Sequence, residues 1–200
     1  MMITQVVTEP SVEPVTLAEL KTYLRGISHT THDAILNNLI TQARTYLEMV
    51  MGRAFVQQTR AVYFKSWPAK EFVVPYPPLQ SVTSIIYTDV DGTATTWASD
   101  EYVVDIVSAP GRVVLGYNES WPTATLHHEE YPIAITYVCG YEPTEDSPAD
   151  YRTNVPEMIK TAIKAYCEIH YDRPPDVYAG ALNRIIDNVI NMYRIWGFGA

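Results

Sequence analysis

The chain is short of nearly everything that marks a disulfide-stapled, membrane-spanning or nucleotide-binding protein. Cys139 and Cys167 are the only cysteines in 200 residues. Two are too few for a disulfide framework, and each sits in an apolar pattern, as expected of a buried thiol in a reducing cytosol. No apolar run approaches the roughly 18 residues of a spanning helix, so no membrane partner is expected. The stretch from Met1 to Val12 lacks the basic start and apolar stretch of a secretory leader. Synthesis and retention in a cytoplasm are the expectation. Gly-x-Ser-x-Gly, a phosphate-cradling glycine loop and a dinucleotide-binding fingerprint are all missing, as are internal repeats and low-complexity segments. Positive charge is scarce too, with 14 Lys and Arg against 23 Asp and Glu and a net charge of -9. That balance disfavours a surface that grips nucleic acid phosphates.

What remains is ordinary globular composition, 47% hydrophobic and 18% charged, enough for one good domain or two small ones. Thr16-Leu-Ala-Glu19 spells a capping box and predicts a helix from about Leu17 to Arg25, stopped by Gly26. A second helix begins near Asp33. Ile35, Leu36, Leu39, Ile40, Ala43, Leu47, Val50 and Met51 recur at helical spacing up to Gly52, with Asn37, Asn38, Gln42, Arg44 and Glu48 assigned to the other side. After Gly52 the period shortens. Thr59 to Phe64, Val82 to Thr88, Tyr102 to Val107, Arg112 to Leu115 and Ile133 to Cys139 read as strands, with turns at Asp91-Gly92 and Pro110-Gly111. Helical spacing returns at Val155-Pro156, where Met158, Ile159, Ala162, Ile163, Tyr166, Cys167 and His170 are assigned to one side. That helix ends at Pro174-Pro175, and a last one is predicted from about Leu182 to Tyr193.

The expected fold class is therefore α+β. N- and C-terminal helices (13–53 and 150–192) form one helical bundle, a central antiparallel β insertion spans 54–149, and residues 193–200 form a C-terminal partner-binding tail.

Candidate chemistry is thin. In His127-His128-Glu129-Glu130, adjacent side chains of an extended segment point apart, and the three- or four-residue spacing of a helical metal site is lacking. A polar loop is expected there. Asp89-Val-Asp91-Gly92 lacks the later ligands of a calcium loop and reads as a hairpin turn. Cys167 and His170 fit a buried helix stripe, His29 and His32 a structural role before the second helix, and Asp172-Arg173 a surface ion pair or an intersubunit one. No catalytic, cofactor or metal residue is assigned.

The aromatic residues point elsewhere. Tyr193, Arg194, Ile195, Trp196 and Phe198 follow the last helix with little chain left to cover them, which suits insertion into a partner more than folding back on the same subunit.

Several stretches taken together resemble the head-tail connector, or adaptor, proteins of long-tailed bacteriophages. They are Pro14-Val-Thr-Leu-Ala-Glu-Leu-Lys-Thr-Tyr-Leu24, the helix Leu36 to Gly52 with Arg53, and Pro77 to Tyr87 with Asp91-Gly92. Ile135-Thr-Tyr-Val-Cys-Gly-Tyr141, Val155-Pro-Glu-Met-Ile-Lys160 and Tyr193-Arg194 complete the set. The likeness runs from Glu13 onward, although a polar loop from Asn118 to Glu130 departs from it. The resemblance implies a structural virion protein without catalysis or cofactor, made in the host cytoplasm and placed in the neck at the head-tail interface. It further implies a dodecameric ring beneath the portal protein, a platform for a tail-completion, stopper or terminator protein, and DNA passing through without sequence-specific binding. The five C-terminal residues would then be portal-binding.

Two other classes compete. A metal-dependent hydrolase would rest on His127, His128, Glu129 and Glu130. A β-rich carbohydrate-binding module would use Trp97, Trp121 or nearby tyrosines as stacking platforms.

Overall fold

In the computed structural model, residues 2–128 and 131–196 are described. The chain is mixed α+β, with four helices and two antiparallel sheets, and divides into two compact units.

One unit comprises residues 1–10 and 57–140. Its larger sheet contains β1 (Met2–Thr8), β2 (Gln58–Phe64), β8 (Ile133–Cys139), β4 (Leu79–Thr88) and β5 (Ala94–Thr96), in the spatial order β1-β2-β8-β4-β5. The smaller has the order β3-β7-β6, from β3 (Glu71–Val74), β6 (Tyr102–Asp105) and β7 (Gly111–Leu115). Strand β8 alternates buried and half-buried residues along its length, the period of a strand with one face in a core. Both sheets feed the buried apolar set: Val62, Ile85, Ile133 and Ile135 from the first, Phe72, Val74 and Val113 from the second. Gly111 of β7 packs so close to the Leu79 side chain at the start of β4 that a Cβ on it would lie 2.5 Å from the Leu79 Cβ. Only glycine fits that approach.

The other unit comprises residues 11–56 and 141–200. It contains α1 (Leu17–Tyr23), α2 (Asp33–Met51), α3 (Glu157–Asp172) and α4 (Asp176–Tyr193). Residues of all four helices, including Leu20, Leu36, Leu47, Ile159, Ile163, Leu182 and Val189, share one buried cluster. Each such Leu or Ile contributes on the order of 1.5–3 kcal/mol by leaving water. The capping box at α1 is formed: the Glu19 amide donates to Thr16 Oγ1 (3.1 Å), and the Thr16 amide donates to Glu19 Oε2 (2.6 Å). Gly52 closes α2 in the left-handed conformation, with φ 62°.

The layout of helices outside and strands only between them is corrected at the N-terminus, because the chain opens on a strand. Met2–Thr8 pairs antiparallel with β2, Met2 opposite Phe64. Helix α4 begins at Asp176 rather than Leu182, since Pro175 serves as its N-cap and its first turn is mostly exposed, leaving no apolar stripe to read. Two faces were also misassigned. Arg44 and Glu48 are buried, not solvated, while Met158 and His170 are exposed.

Candidate functional site

The C-terminal segment is positioned by the end of α2, and a set of buried charges holds that end. The Glu13 carboxylate accepts from Thr41 Oγ1 (2.9 Å) and from Arg44 Nε (2.8 Å). Arg44 Nη1 also donates to Glu48 Oε2 at 3.1 Å, and the other oxygen of Glu48 accepts the backbone N–H of Phe55 at 2.7 Å. Arg44 and Glu48 lie one helical turn apart on the flank of the Ile40, Ala43 and Leu47 stripe, so both enter the interior side by side. A carboxylate reaching forward to Phe55 fixes the reversal after Gly52.

That reversal gives α4 something to dock on. Arg53 Nε donates to the carbonyl of Tyr193 (3.2 Å), and the N–H of Ile195 donates to the carbonyl of Met51 (2.9 Å). The Tyr193 ring packs against the helical core. Arg194 takes an extended backbone conformation as the C-cap of α4, its own N–H bonded to the Ile190 carbonyl at 2.8 Å. The five residues proposed from sequence thus divide. Tyr193 and Ile195 are tied to the C-terminal end of α2 and the turn after it, whereas Arg194 and Trp196 project, Trp196 being 71% exposed. The Arg194 guanidinium lies over the Trp196 ring, 4.9 Å from its centroid, a cation–π pair that presents a planar donor fork and an apolar face together. Phe198 lies outside the described residues. The Glu13, Arg44 and Glu48 support was missed in the sequence. Its signal was there in the spacing of Thr41, Arg44 and Glu48, three and four residues apart beside the apolar stripe.

The other sequence candidates fall elsewhere. The N–H of His127 donates to the Thr88 carbonyl at 2.9 Å, so this residue runs beside the end of β4; Glu129 and Glu130 lie outside the described residues. Among the described residues no group of three or more His, Cys, Asp or Glu side chains could hold a metal ion. Asp89 Oδ1 accepts the N–H groups of Asp91 (3.0 Å) and Thr93 (2.8 Å) and thereby shapes the β4–β5 turn. Cys167 is buried, and desolvation pushes its thiol up to about 12, whereas His170 stacks outside on Tyr166. His32 is the N-cap residue of α2, but its side chain makes no cap bond, and its Nδ1 meets the Tyr171 hydroxyl at 2.7 Å. Asp172 and Arg173 form no ion pair among the described residues. Trp97 is buried against Trp67, Trp121 and Tyr102, with its indole N–H on Glu101. A ring so enclosed offers no face for a sugar to stack on.

Comparison with known proteins points one way. Residues 14–103 match the family model for phage gp6-like head-tail connector proteins, so the resemblance read from the sequence is met by a second line of comparison. No curated protein matches the chain by sequence. Among solved structures, a chain from the neck of an empty GTA particle computed with C6 symmetry is similar at TM-score 0.75 and 16% identity, covering 99% of this chain and 98% of that one. A chain from the virion of the native gene transfer agent particle follows at TM-score 0.73, with the same identity and coverage. A chain from the neck of the native GTA particle computed with C12 symmetry gives 0.72, again at 16% identity over 99% and 98% of the two chains. At such identity the likeness establishes a shared fold.

Proposed function

Taking the chain as a phage gp6-like head-tail connector, we infer that it is a structural protein of a virion neck, joining head to tail. The observation that carries this reading is the match of residues 14–103 to the connector family, supported by a fold shared over 99% of the chain with neck proteins. Copies of the chain form a ring, in keeping with neck neighbours computed with C6 and C12 symmetry, and we take the ring to be dodecameric. The four helices act as one bundle that carries the C-terminal segment, and the portal protein is the partner that segment meets. A tail-completion protein binds the opposite side of the ring. DNA passes through the centre without sequence-specific contact, and a net charge of -9 suits a wall over which phosphates slide instead of sticking. The role requires no catalysis.

Arg194 and Trp196 supply the portal contact: an aromatic anchor and a guanidinium are the residue types that dominate interface energetics. Single contacts of this kind are weak, and repetition around a ring multiplies them through effective concentration. The test is co-sedimentation with purified portal. Trp196→Ala and Arg194→Ala should each weaken binding at least tenfold, as expected for losing about 1.4 kcal/mol or more at a central anchor. Helical circular dichroism should be unchanged, because Tyr193 and Ile195 keep their bonds to the end of α2. Portal binding at full strength by the double variant would show that the segment is not the contact.

A further inference from the structure

The larger sheet is open, and its two outer edges share a chemistry. Strand β1, Met2-Ile-Thr-Gln-Val-Val-Thr8, carries neither charge nor proline, and the same is true of β5, Ala94-Thr-Thr96. Among the described residues neither strand makes a backbone hydrogen bond beyond its single partner, β2 for β1 and β4 for β5. A free edge is a row of unpaired N–H and C=O groups, which proteins ordinarily blunt with lysine, proline or inward charge. On β1 the only such device is a register irregularity between Val6 and Thr8, at its far end. Ile3 and Val7 are meanwhile 44% and 56% exposed. Copies of a chain with net charge -9 repel one another, and an uncharged strip is where two of them approach without setting like charges side by side.

We propose that β1 of one copy pairs with β5 of the next, so that the larger sheets join edge to edge between neighbouring subunits. This rests on the ring reading above and specifies how its copies meet. Strand directions fit. Every neighbouring pair in the sheet is antiparallel, so β1 and β5, at the first and fifth places, run in the same direction. Rotation about an axis along the strands leaves that direction unchanged, which makes the joint a parallel pair. The two edges are different surfaces, so the contact is heterologous, the kind that closes into a ring when its rotation allows. Its length is set by the three residues of β5, about 10 Å at 3.3 Å per residue. A joint that short fixes register and direction more than it supplies affinity.

Disulfide trapping in the full chain tests this. Thr4→Cys and Thr95→Cys are combined in one variant, and Ile3→Cys and Gln5→Cys are each combined with Thr95→Cys to allow for register. Within one copy β1 and β5 are four strand spacings apart, about 19 Å, beyond the roughly 7 Å that a disulfide can bridge. Any bond between the introduced thiols therefore joins two copies. Cys139 and Cys167 are buried and stay silent in the folded chain. Mild oxidation at about 1 mM chain, where even a contact with a Kd of that size is populated, should give a ladder of covalent multimers. The ladder should end at one closed size in native mass spectrometry, while Thr4→Cys or Thr95→Cys alone should give none. Adding Gln5→Lys should cut the multimer yield about tenfold by placing a charge on the edge. Absence of multimers from all three pairs overturns the proposal, as does a dimer from Thr4→Cys alone, which would mean β1 meeting β1 across a two-fold axis. Rings seen by native mass spectrometry without cross-links would sink edge pairing and leave the ring standing. Cross-linked chains that grow without closing would sink the ring and keep the pairing.

Discussion

The helical unit and the β unit both bury an arginine, and they treat it differently. In the helical unit Arg44 lies between two carboxylates, Glu13 at 2.8 Å and Glu48 at 3.1 Å, and Glu48 is also the acceptor for Phe55. In the β unit Arg60 has no carboxylate partner among the described residues. Its Nη1 donates to the Gln58 amide oxygen at 3.0 Å, and its guanidinium sits 3.6 Å over the Tyr76 ring, a ring presented by a backbone with φ 59°. A buried ion pair ties residues far apart in sequence, and losing one member strands the other. A cation held by a ring face and a neutral amide oxygen leaves no charge behind when it goes. The arginine of the helical unit therefore holds a chain reversal in place, whereas that of the β unit mainly fills a sheet face.

The largest expected effect tests that difference directly. Glu48→Ala should cost about 3–5 kcal/mol in urea denaturation, because it strips Arg44 of a partner and leaves the Phe55 N–H without its acceptor. The comparison breaks if Arg60→Met costs as much. Next comes Gly111→Ala, which forces a Cβ onto Leu79 and should cost about 1–3 kcal/mol in the same assay. Arg60→Met itself should be tolerated within about 1 kcal/mol, since an apolar residue of similar volume replaces a cation that strands no carboxylate.

The smallest effect is a slope. Burial raises the Cys167 thiol to about 12, above the roughly 8.5 of a free thiol. Burial, followed by the Glu168 charge and hydrogen bond, raises the Tyr23 phenol from 10.0 to about 12 as well. In both cases the unfolded chain loses its proton first, so the native state binds more protons. Stability is full below the unfolded values and declines as pH climbs toward 12. Cys167→Ala should flatten that decline between about pH 8.5 and 12. An unchanged slope in unfolding measured across this range would show that the thiol does not contribute.

The elements with strong local signals were legible. The Thr16 box, the Gly52 cap, the helical stripe of α2 and the alternation of β8 are each written in a few adjacent residues and recur in the fold. Strands β1, β3 and β5 were missed for a common reason. Each is an edge strand with little pattern to read: β3 has four residues, β5 three, all exposed, and none of the seven in β1 is buried. Arg44 and Glu48 were placed on the wrong face because charge was read as exposure. The spacing of Thr41, Arg44 and Glu48 was there to read, but their partner Glu13 lies 31 residues before Arg44, so nothing local pointed to it. The C-terminal aromatics were visible as types, but their division into anchored and projecting residues depends on Met51 at the end of α2 and Arg53 just after it. Cutting the chain after Met192 would remove Tyr193 and Ile195 together with the projecting pair, which is why single substitutions are the cleaner probe.

Electron microscopy of the purified chain mixed with portal tests the central claim most directly. The account predicts an added ring of identical subunits coaxial with the portal, dodecameric and carrying the C-terminal segment on its portal-facing side. Portal particles without added density, or a closed two-fold dimer as the only assembly at any concentration, would contradict it.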